Sequence, residues 1–436
     1  MKKIFIIIIT ILLLIPLISH AFSKDGIIYT TDGSMSDVNA AIADANTGDT
    51  VNIPFGNYNW GTSGSYISVN KAIVLKGAGQ NETIVTLSDT GGTWDSAVIR
   101  ISAAAIVRDM TINGSNVHGT TAFSTSSNSG WRITNITYNG GSYTGGYWFI
   151  YIGSSYGLID HNTISGGAGN AELIFIRGPA NSWQTPASFG TNDNVFIENN
   201  TFNGQGYVCD ANANSRVVIR YNTITGKQKI DGHGKASNTP PRGVREMEIY
   251  NNLWTNTGSY WDVIELRGGT GRVFNNVVQN NIDSWFVLTE EGCTDSVWQN
   301  FDGCQCPSDY PIDDQIGIGM DPKVGGSDPM YLWNNTKAGS PWTLTWKSTS
   351  ICTSTCGSFS VSDVIQQGRD YFISASKPAA MSGYTPYICP HPFTGLAGSC
   401  GSGAGTGYYN MCGSMNMGGS VSNLALGGSG TMTLGN

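Results

Sequence analysis

Apolar and polar positions along this chain fall into one recurrent line: an apolar or β-branched pair, a polar pair often containing Asn, then an apolar residue and Gly or Asn. It reads AIVRDMTINGS from Ala105, WRITNITYNGG from Trp131, GLIDHNTISGG from Gly157, VFIENNTFNGQ from Val195, VVIRYNTITGK from Val217, MEIYNNLWTNT from Met247 and RVFNNVVQNN from Arg272. Within each line Ile or Val returns at every second place and not at helical spacing, so the lines predict strands. With Met110, Ile136, Asn162, Asn200, Asn222, Asn252 (or its neighbour Leu253) and Asn276 taken as equivalent, successive repeats lie about 26, 26, 38, 22, 30 and 24 residues apart. One turn of a parallel β-solenoid takes a little over roughly 20 residues, so the longer intervals mark loops. The Asn column is expected to stack at a corner, each amide bonding to the next coil, as structure and not as chemistry.

A second strand follows in most coils: WFIYIG from Trp148, LIFIRG from Leu173, GYVCDAN from Gly206, QKIDGHG from Gln228, DVIELRGG from Asp262 and WFVLTEEG from Trp285. Their stacking predicts a second sheet. Upstream, the run from Ser36 places Val38, Ala41 and Ile42 on one face of a short helix that would cover the open end of the solenoid, where backbone groups lack partners. The expected class is all-β, a single-stranded right-handed parallel β-helix with an N-terminal helical cap and a Cys-containing C-terminal region.

The run from Ser36 through KAIVLKGAGQNETIV at Lys71 resembles the cap and first coils of pectate-lyase-like β-helix proteins, and the resemblance extends over roughly Asp32 to Asn281. It implies the fold; activity does not follow from a fold. YPIDDQIGIGMDP from Tyr310, YLWNNT from Tyr331, and GRDYF with GYTPYICPHPFTG from Gly368 onward resemble the closing region of secreted bacterial β-helix proteins.

The N-terminal pattern leads to the expectation that the chain is exported. Lys2 and Lys3 precede an apolar run from Ile4 to Ile15, and Ser19 and Ala21 supply small residues before a break, which is the pattern of a bacterial export signal. The run is too short to span a bilayer, so the expected mature protein is secreted, begins near Phe22 and has no membrane span. The expected divisions are a signal over 1–21, a capped β-helix over 22–290, a disulfide-stapled region over 291–398 and a Gly/Ser-rich tail over 399–436. Only 12% of residues are charged and the net charge is −8, which argues against nucleic acid and anionic membranes as partners. Of nine cysteines, Cys209 stands alone while Cys293, Cys304, Cys306, Cys352, Cys356, Cys389, Cys400 and Cys412 lie in the last third. Disulfides are expected there rather than zinc, with Cys209 the leftover thiol.

Candidate chemistry gathers on the second sheet. Ile174 and Ile176, Ile230 and Gly232, and Ile264 and Leu266 set the inward phase, so Phe175 and Arg177, Asp231 and His233, and Glu265 and Arg267 point outward. Asp210 sits at the same height with its phase open, because Tyr207 and Cys209 could form the inward pair. Thr289 or Glu290 would extend the ladder. Two insertions flank it: GKASNTPPRGVRE with Lys235, Arg242 and Arg245, and NTGSYW with Tyr260 and Trp261. Rings that stack on sugars and cations that bind carboxylates suit an extracellular polysaccharide.

Two mechanisms fit these residue types. β-Elimination from a uronic-acid polymer, the first expectation, takes His233 as base with Arg267 and Arg242 neutralising the substrate carboxylate; the resemblance to pectate lyases also allows an Arg as base. Hydrolysis takes carboxylates from Asp210, Asp231 and Glu265. DGHG at Asp231, followed by Arg267, is similar to the Gly-His-Gly and Arg-x-Lys portion of polygalacturonase-type hydrolases, but Ile176 and Arg177 stand where that family has its Asn-Thr-Asp, and Asp210 is single. No cofactor is required; Ca2+ is a candidate only if Asp210, Asp231 and Glu265 form a loose oxygen set. A glycan-binding or adhesive surface and a self-associating filament subunit are the non-catalytic alternatives.

Overall fold

Each repeat line bends once, at the residue before the column asparagine. His161, Asn199, Tyr221, Asn251, Asn275 and Asn334 adopt φ of 55, 54, 56, 56, 55 and 51°, the left-handed conformation that Asn tolerates better than most residues. A line that reads as one strand is therefore two strands on adjacent faces. The next residue, Asn162, Asn200, Asn222, Asn252, Asn276 or Asn335, is buried at the corner. Its side-chain carbonyl accepts the N–H of the equivalent residue one coil earlier, at 3.0 Å from Asn162 to Asn200, 3.0 Å from Asn200 to Asn222 and 3.1 Å from Asn222 to Asn252. Ile136 donates in the same way to Asn162, and it pairs with Met110. The column thus joins the coils as the spacing predicts, and it continues to Asn335 across a gap of 59 residues.

The protein was described from a computed structural model covering residues 22–61, 65–88, 97–114, 121–126, 129–140, 148–166, 172–235, 242–255, 262–279, 285–288, 308, 310–321, 324–342, 344–346 and 360–396. It is a parallel β-helix with three faces. Sheet I carries the first half of each repeat line, from Ile28–Thr30 through Val195–Glu198, Arg216–Arg220 and Glu246–Tyr250 to Tyr371–Ser374. Sheet II carries the short strands after the asparagines, such as Thr163–Ser165 and Leu253–Thr255. Sheet III stacks Ile150–Gly153, Ile174–Arg177, the ends of Thr201–Asn212 and Thr223–Gly232, then Asp262–Leu266, Trp285–Leu288 and Leu344–Trp346. The interior is filled by aliphatic columns such as Ile159, Ile197, Ile219, Ile249, Val273 and Leu332, all buried. Removing such stacks from water is the main favourable term in the fold.

Helix α1 (Met35–Asp44) starts at Ser34, whose hydroxyl accepts from the Asp37 N–H, and buries Val38, Ala41 and Ile42 in the core shared with the first strands. At the other end, coils continue well past Asn281, and residues 384–395 return as a strap over sheet I. Arg220 donates to the Tyr387 and Ile388 carbonyls at 2.6 and 3.0 Å, Arg132 donates to the Phe393 carbonyl at 3.0 Å, and the His391 N–H donates to Glu198 at 3.1 Å. Cys209 is buried and free. The expected export signal (1–21), the expected tail (399–436), the cysteines other than Cys209 and Cys389, and Tyr260, Trp261, Thr289 and Glu290 lie outside the described residues.

Candidate active site

The outer face of sheet III presents its side chains in rows, one residue per coil. The central row runs Tyr151, Phe175, Asp210, Asp231 and Glu265 in unbroken parallel register. This settles the phase of Asp210, which faces outward. A register shift between Tyr207 and Cys209 accommodates Val208, after which Cys209 and Ala211 point inward. A flanking row holds Glu172, Tyr207 and Lys229. On the other side stand Arg177 and Asn212, followed by His233, whose N–H reaches the Ala211 carbonyl at 2.9 Å, and Arg267, whose N–H reaches the Gly232 carbonyl at 2.9 Å. Arg177, Asp231, His233, Glu265 and Arg267 therefore share one face, as the alternation predicts, and Asp210, whose phase the alternation left open, joins them.

The carboxylates in the central row are not equivalent. Asp231 is fully buried and salt-bridged to Arg267, with Nε at 3.2 Å from one oxygen and Nη2 at 2.7 Å from the other. Lys229 lies 3.6 Å from Asp231 and 2.5 Å from Glu265, and its ammonium sits 4.4 Å over the Tyr207 ring. Among the described residues no cation is salt-bridged to Asp210, and its Oδ1 has no hydrogen-bond partner. Burial pushes its carboxyl up to about 8, and the neighbouring Asp231 and Glu172 push the same way while His233 and Arg267 offset part of the shift. Glu172 is also raised by burial, although the Trp148 indole donates to it at 2.9 Å. His233 is half-buried, with Nδ1 3.0 Å from the Gly234 carbonyl.

The insertion cations behave differently from expectation. Lys235 is bound to Asp313 at 2.6 Å, and Arg242 is bound to Asp314 at 2.7 Å and to Asp321, with its guanidinium over Trp183. Arg245, expected to line the groove, is fully buried at the entry to sheet I, paired with Asp328 at 3.1 Å and lying near the Trp183 ring. The chain turns inward after Gly243, so Arg245 is carried into the body of the protein and away from sheet III. Arg177 alone of the predicted cations is exposed, 5.9 Å over Phe175.

The loose calcium set does not fit. Asp231 and Glu265 are already held by Arg267 and Lys229, and among the described residues no cluster of three or more His, Cys, Asp or Glu side chains is arranged to hold an ion. Sequence reasoning passed over Glu172, Lys229 and the aromatic cluster of Trp148, Tyr151 and Phe175, whose centroids lie 5.0–5.6 Å apart. Lys229 was within reach of the same alternation, two residues before Asp231.

No family model matches the chain, and no curated protein matches it. Solved structures do. The chain is similar to the pectin methylesterase PemA from Erwinia chrysanthemi, at 12% identity over 81% of this chain and 100% of that one, with a TM-score of 0.37. It is similar to a pectin methylesterase variant in complex with a hexasaccharide, at 14% identity over 82% and 100%, TM-score 0.39. It is also similar to the catalytic domain of a GH87 α-1,3-glucanase in complex with nigerose, at 12% identity over 80% and 68%, TM-score 0.31. At this level the likeness is one of fold.

Proposed function

We propose that this protein is an extracellular polysaccharide hydrolase that cleaves a C–O bond with Asp231 as nucleophile and Asp210 as acid and then base. One observation carries the reading: two buried carboxyl groups on neighbouring coils are held differently, Asp231 by Arg267, and Asp210 with an Oδ1 that has no hydrogen-bond partner among the described residues, where burial favours its protonated form. Neighbouring strands lie about 4.8 Å apart. Carboxyl groups that work through a covalent intermediate are about 5–5.5 Å apart, whereas those that admit a water between them need about 6.5–9.5 Å. Adjacency therefore favours direct attack.

In this scheme an Asp231 oxygen bonds to the electrophilic carbon as the bond to the leaving oxygen breaks, and the Asp210 proton goes to that oxygen. Asp210, now ionised, takes a proton from water, whose oxygen displaces Asp231 and restores both groups. Arg267 fixes the attacking carboxylate. Elimination, the first expectation from the sequence, is less well served, because Arg267, Arg242 and Lys235 each already face a protein carboxylate. The same pairing shifts the expected substrate from a free polyuronate toward a neutral or esterified chain.

The test is to incubate the exported protein with methyl-esterified pectin, polygalacturonate, alginate and a neutral β-glucan. New reducing ends would identify glycosidic cleavage, and a released alcohol or acid would identify ester cleavage. Either activity should vanish in Asp231→Asn and Asp210→Asn. Unsaturated product without hydrolysis, or turnover unaffected by both variants, would overturn the proposal.

A further inference from the structure

Sheet I carries a row of aromatic rings that stops one coil early. On its outer face Tyr250, Phe274 and Trp333 are consecutive register partners, with centroids 4.6 and 4.3 Å apart and planes within 7° and 3° of parallel. The partner of Trp333 on the last coil is Ser374, which has no ring to add. A cavity of about 410 Å3 opens beside this truncated end, lined by Phe274, Trp333, Tyr384 and Pro386 and by Asn275, Asn334 and Lys377.

We infer that this cavity is a saccharide-binding site separate from the carboxylate groove, taking one sugar ring at the position the aromatic row leaves unfilled. The apolar part suits the flat face of a pyranose, and its walls are held in place: Tyr384 meets Phe274 and Trp333 edge to face at 6.1 and 6.3 Å and donates its hydroxyl to Glu248. The polar part suits hydroxyls rather than a hydrocarbon. Asn334 donates to Asn275 at 2.8 Å, a bond that uses one donor and one acceptor, so the pair retains an amide NH2 on Asn275 and a carbonyl oxygen on Asn334. Lys377 donates to the Tyr384 carbonyl at 2.7 Å and adds N–H donors at the same place. Apolar walls with a few fixed polar groups are the usual composition of a ring-binding pocket. The cavity belongs to sheet I and its strap, so this inference stands independently of the hydrolysis proposed for sheet III.

The test uses the full exported chain carrying Asp231→Asn, titrated by calorimetry and tryptophan fluorescence with trigalacturonate, its methyl ester, cellotriose and laminaritriose. At least one should bind saturably with a change in tryptophan emission. Ser374→Phe, which adds a ring next to Trp333 at the edge of the cavity, should weaken that binding about tenfold or more while leaving the melting temperature unchanged or higher. Lys377→Ala should weaken it without unfolding and serves if Ser374→Phe folds poorly. Turnover by the groove, measured without Asp231→Asn, should survive both changes. Absence of binding by all four sugars, an isotherm insensitive to both cavity variants, or preferential binding of indole would overturn the inference.

Discussion

Replacing Asp210 with Asn should make the protein more stable and inactive at once. Asparagine keeps the shape of the side chain but cannot ionise. In the folded protein Asp210 lies between Phe175 and Asp231 in the central row, 3% exposed, and burial together with Asp231 and Glu172 holds its carboxyl at about 8 instead of 3.8. Its folded value lies above its unfolded one, so between those values the native state keeps a proton that the unfolded chain has released. The stability that Asp210 contributes is therefore greatest below about pH 4, falls as pH rises toward about 8 and is level above that. The gap corresponds to on the order of 6 kcal/mol, at about 1.4 kcal/mol per pH unit. Urea unfolding of wild type and Asp210→Asn at about pH 4, 6 and 9 reads this directly. The two should be nearly equal at the lowest pH, and the variant should lead by several kcal/mol at the highest. A difference independent of pH, or a wild type as stable as the variant at about pH 9, would refute the reasoning.

Three further outcomes are expected. Hydrolysis should fall as pH rises through about 8, when Asp210 loses its proton, and Glu172→Gln should move that limb to lower pH by removing a negative neighbour; the check is a pH–rate profile of each. Asn222→Ala should cost on the order of 4 kcal/mol, because the Ile197 and Arg220 carbonyls and the Asn200 N–H lose a buried partner, whereas Asn139→Ala on the exposed corner should cost less than about 0.5 kcal/mol; denaturant midpoints compare them. His391, on the strap, is buried against sheet I, and burial lowers its value to about 4, so the native state resists a proton that the unfolded chain accepts near 6.5, and its contribution to stability is lost as pH falls between those values; His391→Gln should flatten that acid limb in thermal melts.

The coils were legible because two signals coincide in each repeat: alternation fixes the inward face, and Asn marks the corner where the backbone must enter the left-handed region. The third face was legible for the same reason wherever two aliphatic residues flank a polar one, as Ile264 and Leu266 flank Glu265. It failed at Asp210 because Val208 is an extra residue, and a bulge inverts the phase without leaving a mark in composition. Arg245 was misread because an insertion was taken to present all its cations outward, whereas the chain re-enters sheet I at Glu246 and carries Arg245 inside. The partners of Lys235 and Arg242 lie 78 and 72 residues away, in a segment whose pattern is blurred. Local periodicity carries no information about which distant carboxylate will neutralise a cation.

That neutralisation decides the chemistry more than the identity of any single residue. Parallel coils bring like residues into rows about 4.8 Å apart, so a row of Asp210, Asp231 and Glu265 confronts the fold with adjacent negative charges in a buried place. Lys229, two residues before Asp231 on the same strand and face, answers the charge of Glu265, and Arg267, one coil further, answers that of Asp231. Asp210 lies on the coil before both cations, next to Phe175 and away from either side chain's salt bridge. Retaining a proton is the remaining way to avoid a buried charge. Position along the solenoid thus gives chemically identical side chains different surroundings, Asp231 paired with Arg267 and Asp210 raised by burial, and moving a cation one coil toward Asp210 should erase the difference.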